Sequence, residues 1–408
     1  MSLMDKILYL FQVKKELKEA IEEKGVEVPS NTTFEEYASK IDEIPLGIVD
    51  EEKDLLRRFI SRKLGDFKVP EDVGTLRRNC FSGVTECNSL DFSNSVLYNT
   101  SFDGSIAPDP LDLTKVAIKE NSYICEGYKG KKVILPETTT KIYKTQFRNC
   151  TNLKAINTDN ITSIGYGGFE GCKSLESLKL ENVTELGTYE STFDEVWGSC
   201  FRNCILLDNI SLPNVTSIPS TCFSGCTNLQ SINMPKTTSL GNYTFESTGF
   251  VTIDLSNITS LEIGTFRNCK KLTSFNLSTE LKTLPKYCFQ NCTGVTSIDL
   301  KNVETLDCTA LPPNITSLDL VNIKTLTCAS SYYGIYIKKL YIPSTLSITS
   351  LNAPNLSSLN NDCILFTDAT SKPDTWEQKW LDNFTNNKLV KATIKYGSNH
   401  QEYLNYKV

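Results

Sequence analysis

Apolar and polar residues alternate along most of the chain in a pattern that repeats about every 22 residues. Each repeat contains a run of the form Leu-x-x-Ile-x-Leu, which has the alternation of a half-buried strand. A second alternating run follows, as at 215–218, and a phenylalanine comes five residues after its last apolar position, as at Phe223. One repeat of this length cannot bury its own apolar face and must stack on its neighbours. The pattern therefore predicts a solenoid.

The phenylalanine opens a tetrapeptide, Phe-x-x-Cys, that predicts a buried corner in each coil. Gly or Asn stands before the cysteine and can supply the positive φ or the local hydrogen bond that a corner needs. A free cysteine behaves as a small buried hydrophobe, which suits a stacked turn position. The complete corners begin at Phe147, Phe169, Phe201, Phe223, Phe266 and Phe289.

The central apolar residue of the first run keeps its spacing through the chain, apart from one ten-residue excess between Leu178 and Ile210. With Leu359 as a weaker last member, this predicts 13 or 14 coils. The predicted fold class is an α+β repeat solenoid of leucine-rich-repeat type. The other central positions are Phe67, Leu90, Leu111, Val133, Ile156, Ile232, Ile253, Phe275, Ile298, Leu318 and Leu340.

The segment before the repeats has a helical pattern. Residues 1–45 are predicted to form a small module of two short helices, the first at about 3–23 and the second starting at a capping box at Thr33. A charged linker helix is predicted within 46–63. The solenoid is then assigned to residues 64–362.

The segment after the repeats, residues 363–408, is predicted to be a helix-strand cap. A serine and a proline at Pro373 have the order of a helix start. We expect that helix to bury Trp376 and Trp380. A last strand is expected near 390–396.

Composition narrows the range of partners. The 408 residues carry a formal net charge of −6 without a cluster of lysine and arginine, so no nucleic-acid partner is expected. The N-terminal apolar run is too short to span a membrane and lacks the order of a secretory signal peptide. We therefore expect no membrane insertion and folding in a cytoplasm.

Fifteen cysteines would suggest disulfides in a secreted protein, but here they follow the repeat. The only histidine, His400, lies far along the chain from Cys-x3-Cys pairs such as 222/226, so no metal site is expected. Neighbouring coils are close enough for disulfides, and a reducing cytoplasm argues against them. Without a catalytic constellation or a phosphate-binding loop, the chain is predicted to be non-enzymatic and to bind no cofactor.

The unit from Ile210 to Leu229, with its strand, proline, Val-Thr-Ser-Ile, Phe-x-x-Cys and closing leucine, resembles the BspA-like leucine-rich repeat. This resemblance covers about residues 64–360. It implies a curved solenoid that serves as a binding surface and not as an enzyme. Proteins of this family occur as adhesins on bacterial and protist surfaces and as components of bacteriophage particles.

A second resemblance concerns the N-terminal residues. The segments 17–41 and 55–60 look like a short module found ahead of such repeats in phage tail and other virion proteins. This resemblance implies a virion protein that folds in the host cytoplasm and is released by lysis. It also implies that the N-terminal helices join other virion proteins.

The polar positions of the first strand form a regular array that is a candidate ligand face for a glycan or a protein. The alternative is a solvated sheet in which short hydroxyl and amide side chains form ladders between coils, and the lack of aromatic platforms favours this alternative. The candidate binding residues in the array are Asn233, Asp254, Asn276, Asp299 and Asp319.

Three groups of apolar or aromatic residues are further candidates for contacts. The ten-residue insertion either anchors a partner through its aromatic residues or folds them back on the coil edge, and the tyrosines of the late coils either bind or cap the solenoid. The apolar face of the N-terminal helices either attaches to another protein, a second copy included, or packs on the first coil. The residues are Tyr189, Phe193 and Trp197 in the insertion, Tyr332, Tyr333, Tyr336 and Tyr341 in the late coils, and Leu3, Ile7, Leu10, Leu17, Ile21, Phe34 and Tyr37 for attachment.

The leading hypothesis from the sequence is a non-enzymatic phage virion protein of the tail, fibre or baseplate type. Its N-terminal helices would attach to the particle, and its solenoid would contact the host surface or a neighbouring virion protein. One alternative is a purely structural decoration protein of the particle. Another is a bacterial cell-surface adhesin, which the absence of a signal peptide disfavours.

Overall fold

The computed structural model describes most of the repeats and parts of the flanking segments. Two compact units are found, residues 1–193 with 200–207 and residues 194–199 with 208–408, and each is described by itself. The described residues are Glu22, Glu27, 61–69, 75–76, 81–91, 96–97, 102–118, 124–188, 198–327, 337–348, 363–378 and 393–407.

The first unit contains two series of short parallel strands, because each coil contributes one strand to each series. The first series pairs Phe67 with Leu90 and aligns Leu111 with Val133 and Ile156, as the repeat predicted. Its strands are β1 (Lys63–Lys68), β3 (Glu86–Asp91), β5 (Leu111–Asp112), β7 (Lys132–Ile134) and β9 (Ala155–Ile156). The second series consists of β2 (Thr75–Leu76), β4 (Val96–Leu97), β6 (Ala117–Ile118), β8 (Lys141–Ile142), β10 (Ser163–Gly165) and β11 (Glu185–Thr188).

The second unit repeats this arrangement. Ile210 pairs with Ile232, and Ile253 pairs with Phe275. The first series consists of β12 (Asn209–Ser211), β14 (Ser231–Asn233), β16 (Thr252–Leu255), β18 (Ser274–Leu277), β21 (Ser317–Asp319), β23 (Lys339–Tyr341), β24 (Ile364–Phe366) and β25 (Thr393–Lys395). The second series consists of β13 (Ser217–Ile218), β15 (Ser239–Leu240), β17 (Ser260–Leu261), β19 (Thr283–Leu284), β20 (Thr305–Asp307) and β22 (Thr325–Thr327).

The corner phenylalanines stack on one another inside each unit. In the first unit Phe169 lies between Phe147 and Phe201, with ring centroids 5.4 and 5.6 Å apart and nearly parallel rings. In the second unit Phe245 lies between Phe223 and Phe266 at 5.6 and 5.5 Å. All of these rings are fully buried. The predicted alignment of the corner phenylalanines is therefore confirmed within each unit.

The backbone before each corner cysteine adopts positive φ, as predicted from Gly and Asn. Asn149, Asn203 and Gly171 have φ of 60°, 61° and 74°. A second positive-φ residue four positions earlier was not predicted, and its side chain is often one that tolerates this conformation poorly. These earlier residues are Thr145, Gly167, Ser199, Thr221, Tyr243, Gly264 and Tyr287.

The corner cysteines donate hydrogen bonds that join one coil to the next. The Cys172 thiol donates to the carbonyl oxygen of Phe147 at 3.0 Å, and the Cys292 thiol donates to that of Phe266 at 3.0 Å. The thiols therefore satisfy buried carbonyl groups, in addition to filling space. Asn side chains also join one coil to the next at exposed positions, as where the Asn182 amide donates to the carbonyl oxygen of Asp159 at 2.7 Å.

One coil exchanges the two corner residue types. The amide of Gly127 donates to the carbonyl oxygen of Arg148, which puts Cys125 at the phenylalanine position and Tyr128 at the cysteine position. Both side chains are fully buried. In this coil the aromatic ring therefore occupies the cysteine position and the thiol occupies the phenylalanine position, and the stack of coils is not interrupted.

The structure corrects several expectations about extent and helix content. The described residues form a parallel β-solenoid of about 11 turns with very little helix, so the helical part of the predicted α+β class is not shown, and the count of 13 or 14 coils stays a prediction. Leu178 and Ile298 are half-buried but lie outside regular strands. After Leu340 the strand partner is Leu365, and Leu359 lies outside the described residues.

The two helices predicted within 1–45 lie outside the described residues, apart from isolated positions. The linker helix predicted to reach residue 63 is described only at 61–63, and its predicted end is corrected because β1 begins at Lys63. The helix predicted to start at Pro373 is not found at 373–377, where the chain forms a turn and Trp376 bridges to Ile348. Trp376 is buried, and its indole donates to the carbonyl oxygen of Leu346 at 3.2 Å. The predicted last strand is confirmed as β25.

The C-terminal helix α1 (His400–Asn405) was not predicted. Asn399 is its N-cap, and the Asn399 side chain accepts a hydrogen bond from the backbone N–H of Glu402. The order Asn-x-x-Glu is close to a capping box, so the sequence did contain a signal for this helix.

Cysteine chemistry differs from expectation at one position. Cys308, which begins a short 3-10 helix (Cys308–Ala310), is disulfide-bonded. The twelve other described cysteines are free and buried.

Candidate binding surface

The outward side of the first strand series in the second unit presents two columns of short polar side chains. The strand register pairs Thr252 with Ser274 and Asp254 with Asn276, and β14 carries Ser231 and Asn233 at the same two positions of the repeat. We call these six exposed residues the strand-face array: Ser231, Asn233, Thr252, Asp254, Ser274 and Asn276. One column consists of hydroxyl groups and the other of amide and carboxylate groups.

The array residues use only part of their hydrogen-bonding capacity within the protein. The Asn233 amide donates to the Ser211 hydroxyl at 3.1 Å, and the Asn276 side-chain oxygen accepts from the backbone N–H of Leu255 at 3.2 Å. A side-chain amide has two donor hydrogens and two acceptor lone pairs. Each of these side chains therefore keeps donors and acceptors for a ligand.

Asp254 gives the array a fixed negative charge. Its carboxylate accepts from the backbone N–H of Ser256 at 2.9 Å. That hydrogen bond, together with those from the Ser256 hydroxyl and the Asn276 side chain, lowers the pKa of Asp254 below its usual value. The carboxylate is consequently an acceptor only, beside amide groups that both donate and accept.

The other two predicted acidic residues are engaged locally. The Asp299 carboxylate accepts from the backbone N–H of Lys301 at 3.0 Å and pairs with the Lys301 ammonium at 3.1 Å. The Asp319 carboxylate lies 2.6 Å from Nε2 of His400. Tyr341 is the register neighbour of Asp319 and is only 4% exposed. The structure thus brings Asp319 and Tyr341 together, but it buries the tyrosine.

The remaining predicted contact residues cannot be placed. They lie outside the described residues and stay predictions: Tyr189, Phe193, Trp197, Tyr332, Tyr333, Tyr336, Leu3, Ile7, Leu10, Leu17, Ile21, Phe34 and Tyr37.

A row of alternating charges follows the corner phenylalanines and was not predicted. In the first unit the Arg148 guanidinium pairs with Glu126 at 2.6 Å, and Arg202 lies 3.6 Å from Glu170. Opposite charges one coil apart favour this pairing of coils, although exposed pairs contribute only about 0.2–1 kcal/mol each. In this unit the signal was present in the sequence, because the residues after Phe147, Phe169 and Phe201 alternate in charge as Arg148, Glu170 and Arg202.

A shallow groove of about 790 Å³ lies on the first coils of the first unit. Lys63 and Glu86 line it and pair with each other at 2.7 Å. Across the ranges that the structure describes, no group of three His, Cys, Asp or Glu side chains could hold a metal ion. Within those same ranges, no helix has the length and apolar character needed to cross a membrane.

Comparison with known proteins identifies the repeat. The profile described as BspA type leucine rich repeat region matches residues 56–112, 116–196 and 194–316, in six copies. No protein with a curated description matches the chain.

Solved structures with leucine-rich repeats align with much of the chain at low identity. A leucine-rich repeat protein from Bacteroides ovatus is 18% identical, with 74% of this chain and 92% of that chain covered and a TM-score of 0.38. A leucine-rich cell surface protein from Faecalibacterium prausnitzii is 18% identical over 70% and 84% of the two chains, with a TM-score of 0.30. The pneumococcal vaccine antigen PcpA is 13% identical over 82% and 91%, with a TM-score of 0.33.

Proposed function

The chain belongs to the BspA-type leucine-rich repeat family, and on this premise we propose that it is a non-enzymatic binding protein whose strand-face array contacts a glycan or a protein on a cell surface. The observation that carries the proposal is the exposure of all six array residues, four of which are paired in register across β16 and β18. Hydroxyl, amide and carboxylate groups in fixed rows suit a ligand with many hydrogen-bonding groups. Such a surface obtains its specificity from several weak contacts in register and not from one deep pocket.

Substitution on the two strand series tests this proposal. A variant with Asn233→Ala, Asp254→Ala and Asn276→Ala should lose retention on purified bacterial cell envelopes. A control with Ser217→Ala, Thr238→Ala and Thr283→Ala removes exposed polar groups from the second series of the same unit and from the position directly before β15. This control should be retained like the wild type. Equal retention of both variants would contradict the proposal.

The place where the protein resides is a separate part of the proposal. The resemblance of segments 17–41 and 55–60 to a virion module supports a phage particle, with the N-terminal helices as the attachment and the solenoid facing the host. Deletion of residues 1–45 should then abolish incorporation into particles while the far-UV circular dichroism of the strands is kept. Incorporation of the deleted chain would contradict virion attachment through this module.

A bacterial cell-surface adhesin is the second candidate, and the disulfide at Cys308 favours it. Disulfides persist outside the cytoplasm and are rare within it. Mass spectrometry of the chain from its native source, with free thiols blocked before extraction, should find Cys308 oxidised if the protein resides at a cell surface. A fully reduced Cys308 in that material would remove the observation that favours this candidate.

A further inference from the structure

Two free thiols of the second unit occupy the same corner position in neighbouring coils. Cys269 closes the corner that begins at Phe266, and Cys292 closes the corner that begins at Phe289. The two phenylalanine rings have centroids 5.4 Å apart and an interplanar angle of 3°. The Cα atoms of disulfide-bonded cysteines lie about 4.4–6.8 Å apart. The spacing of the coils at this corner therefore suits a bond between the two thiols.

The backbone keeps the two cysteines in register. Asn268 and Asn291, which directly precede them, both have a φ of 62°. The Asn291 side chain donates to the side-chain oxygen of Asn268 at 2.9 Å. Each thiol donates to the carbonyl oxygen of the corner phenylalanine one coil earlier, at 3.0 Å in both cases. The Cys292 thiol therefore points towards the coil that contains Cys269.

The two thiols differ in acidity. Burial raises the pKa of Cys269, but hydrogen bonds with the side chains of Cys292 and Thr248 outweigh burial and leave this pKa below its usual value. The Thr248 hydroxyl lies 3.2 Å from the Cys269 sulfur. The hydrogen bond to Cys269, together with burial, raises the pKa of Cys292. Because the thiolate is the reactive form, Cys269 is the thiol that reacts first.

Both thiols are buried, but each lies next to exposed residues of the corner. Lys270, which follows Cys269, is exposed, and so are Asn291 and Thr293 on the two sides of Cys292. A hydroperoxide is small and uncharged, so it is the class of oxidant that suits a site one residue below the surface. Thiols are oxidised by such reagents first to a sulfenic acid and then to a disulfide.

We propose that Cys269 and Cys292 form a site of reversible thiol oxidation, at which a hydroperoxide links two neighbouring coils by a disulfide. With hydrogen peroxide, the Cys269 sulfur attacks one oxygen and the O–O bond breaks. The other oxygen leaves as water with the Cys269 proton, and Cys269 becomes a sulfenic acid. The Cys292 sulfur then attacks the Cys269 sulfur, and the sulfenic hydroxyl leaves as water with the Cys292 proton. Two thiols are oxidised and one peroxide is reduced to two water molecules.

The neighbouring corners define which thiols can pair. Thr248 occupies the corner position one coil before Cys269, and its hydroxyl cannot form a disulfide. Cys292 is therefore the partner that the corner register offers to Cys269. Cys288 is a third buried thiol in the same coil as Cys292, but it precedes Phe289 and does not close the corner. The site is independent of the ligand assigned to the strand-face array.

Peptide mapping of the full chain after treatment with hydrogen peroxide, with the remaining thiols blocked, tests this site. The folded wild type should yield the peptide with Cys269 linked to the peptide with Cys288 and Cys292, and dithiothreitol should separate them. Cys292→Ser should lose the link, and dimedone should trap its Cys269 as a sulfenic acid. Cys288→Ser is the matched control on the same peptide and should keep the link.

Oxidation of the wild type in urea is the control for the fold, because unfolding removes the register that selects this pair. The link should therefore be enriched in the folded chain, and this comparison needs no substitution if a variant loses its wild-type circular dichroism. Three results would overturn the site: no link in the folded wild type, equal yields of the link with and without urea, or a link that persists in Cys292→Ser. Loss of the link in folded Cys288→Ser would also overturn the pairing of Cys269 with Cys292.

Discussion

Replacing Phe245 by alanine removes the centre of the aromatic stack in the second unit. The ring lies 5.6 Å from Phe223 and 5.5 Å from Phe266, and the edge of Phe250 approaches it at 5.3 Å. It is fully buried. Burial of an alanine there would leave a cavity that the two neighbouring coils cannot fill without shifting their own rings.

The expected cost is large because the loss of aromatic pairs adds to the cost of emptying a core position. Phe-to-Ala changes in a core cost about 3–5 kcal/mol, and the lost aromatic pairs put Phe245→Ala in the upper half of that range, at about 4–5 kcal/mol. Phe245→Leu keeps most of the volume and should cost about 1–2 kcal/mol. Val251→Ala is the matched control, because Val251 is 47% exposed and should change stability by less than about 0.5 kcal/mol.

Amide hydrogen exchange is the suitable assay, because a repeat array does not have to unfold in one step. Since each coil contacts only its neighbours, the free energy of opening should fall most at the amides of Phe223, Phe245 and Phe266. The amides of β24 should change little. A cost below about 1 kcal/mol, or an equal loss across the whole unit, would refute the assignment of the phenylalanine stack as the core of the coils.

Three further predictions follow from the corners and the thiols. Cys172→Thr should be tolerated because a hydroxyl can donate to the Phe147 carbonyl as the thiol does. Cys172→Val should cost about 0.5–1.5 kcal/mol by thermal unfolding, since the hydrogen bond between coils is lost while the carbonyl keeps the backbone N–H of Cys150 as a donor. Asn203 has a φ of 61°, so Asn203→Gly should be nearly neutral and Asn203→Val should cost about 1–2 kcal/mol in urea titrations. Burial raises the pKa of Cys363 to about 12, so the folded chain keeps this proton while the thiol of an unfolded chain ionises near pH 8.5. The free energy of unfolding should therefore fall as the pH rises from about 8.5 towards 12. A urea midpoint that stays constant across this range would contradict the prediction.

Much of the repeat could be predicted because it depends on local spacing. The alignment of Leu111 with Val133 and the positive φ at Asn149 follow from short-range rules for strands and corners, and both are confirmed. The exchange of residue types at Cys125 and Tyr128 escaped a search for Phe-x-x-Cys. Both positions at that corner are buried as in the other coils, although the two residue types are exchanged.

Fewer features of the candidate binding surface could be predicted from the sequence. The exposure of Asn233 and Asp254 follows from strand alternation and could be predicted. The burial of Tyr341 depends on Tyr403, which is 62 residues further along the chain, and no periodic rule links the two. The disulfide at Cys308 could not be predicted because the spacing of cysteines alone does not specify which of them pair.

Hydroxyl-radical footprinting of the wild-type chain bound to bacterial cell envelopes tests the central claim most directly. The binding account predicts protection of side chains at 231–233, 252–255 and 274–277, with unchanged reactivity at 217–218, 239–240 and 260–261 in the same unit. Protection of the second strand series, or no protection of either series while the chain is retained, would contradict it.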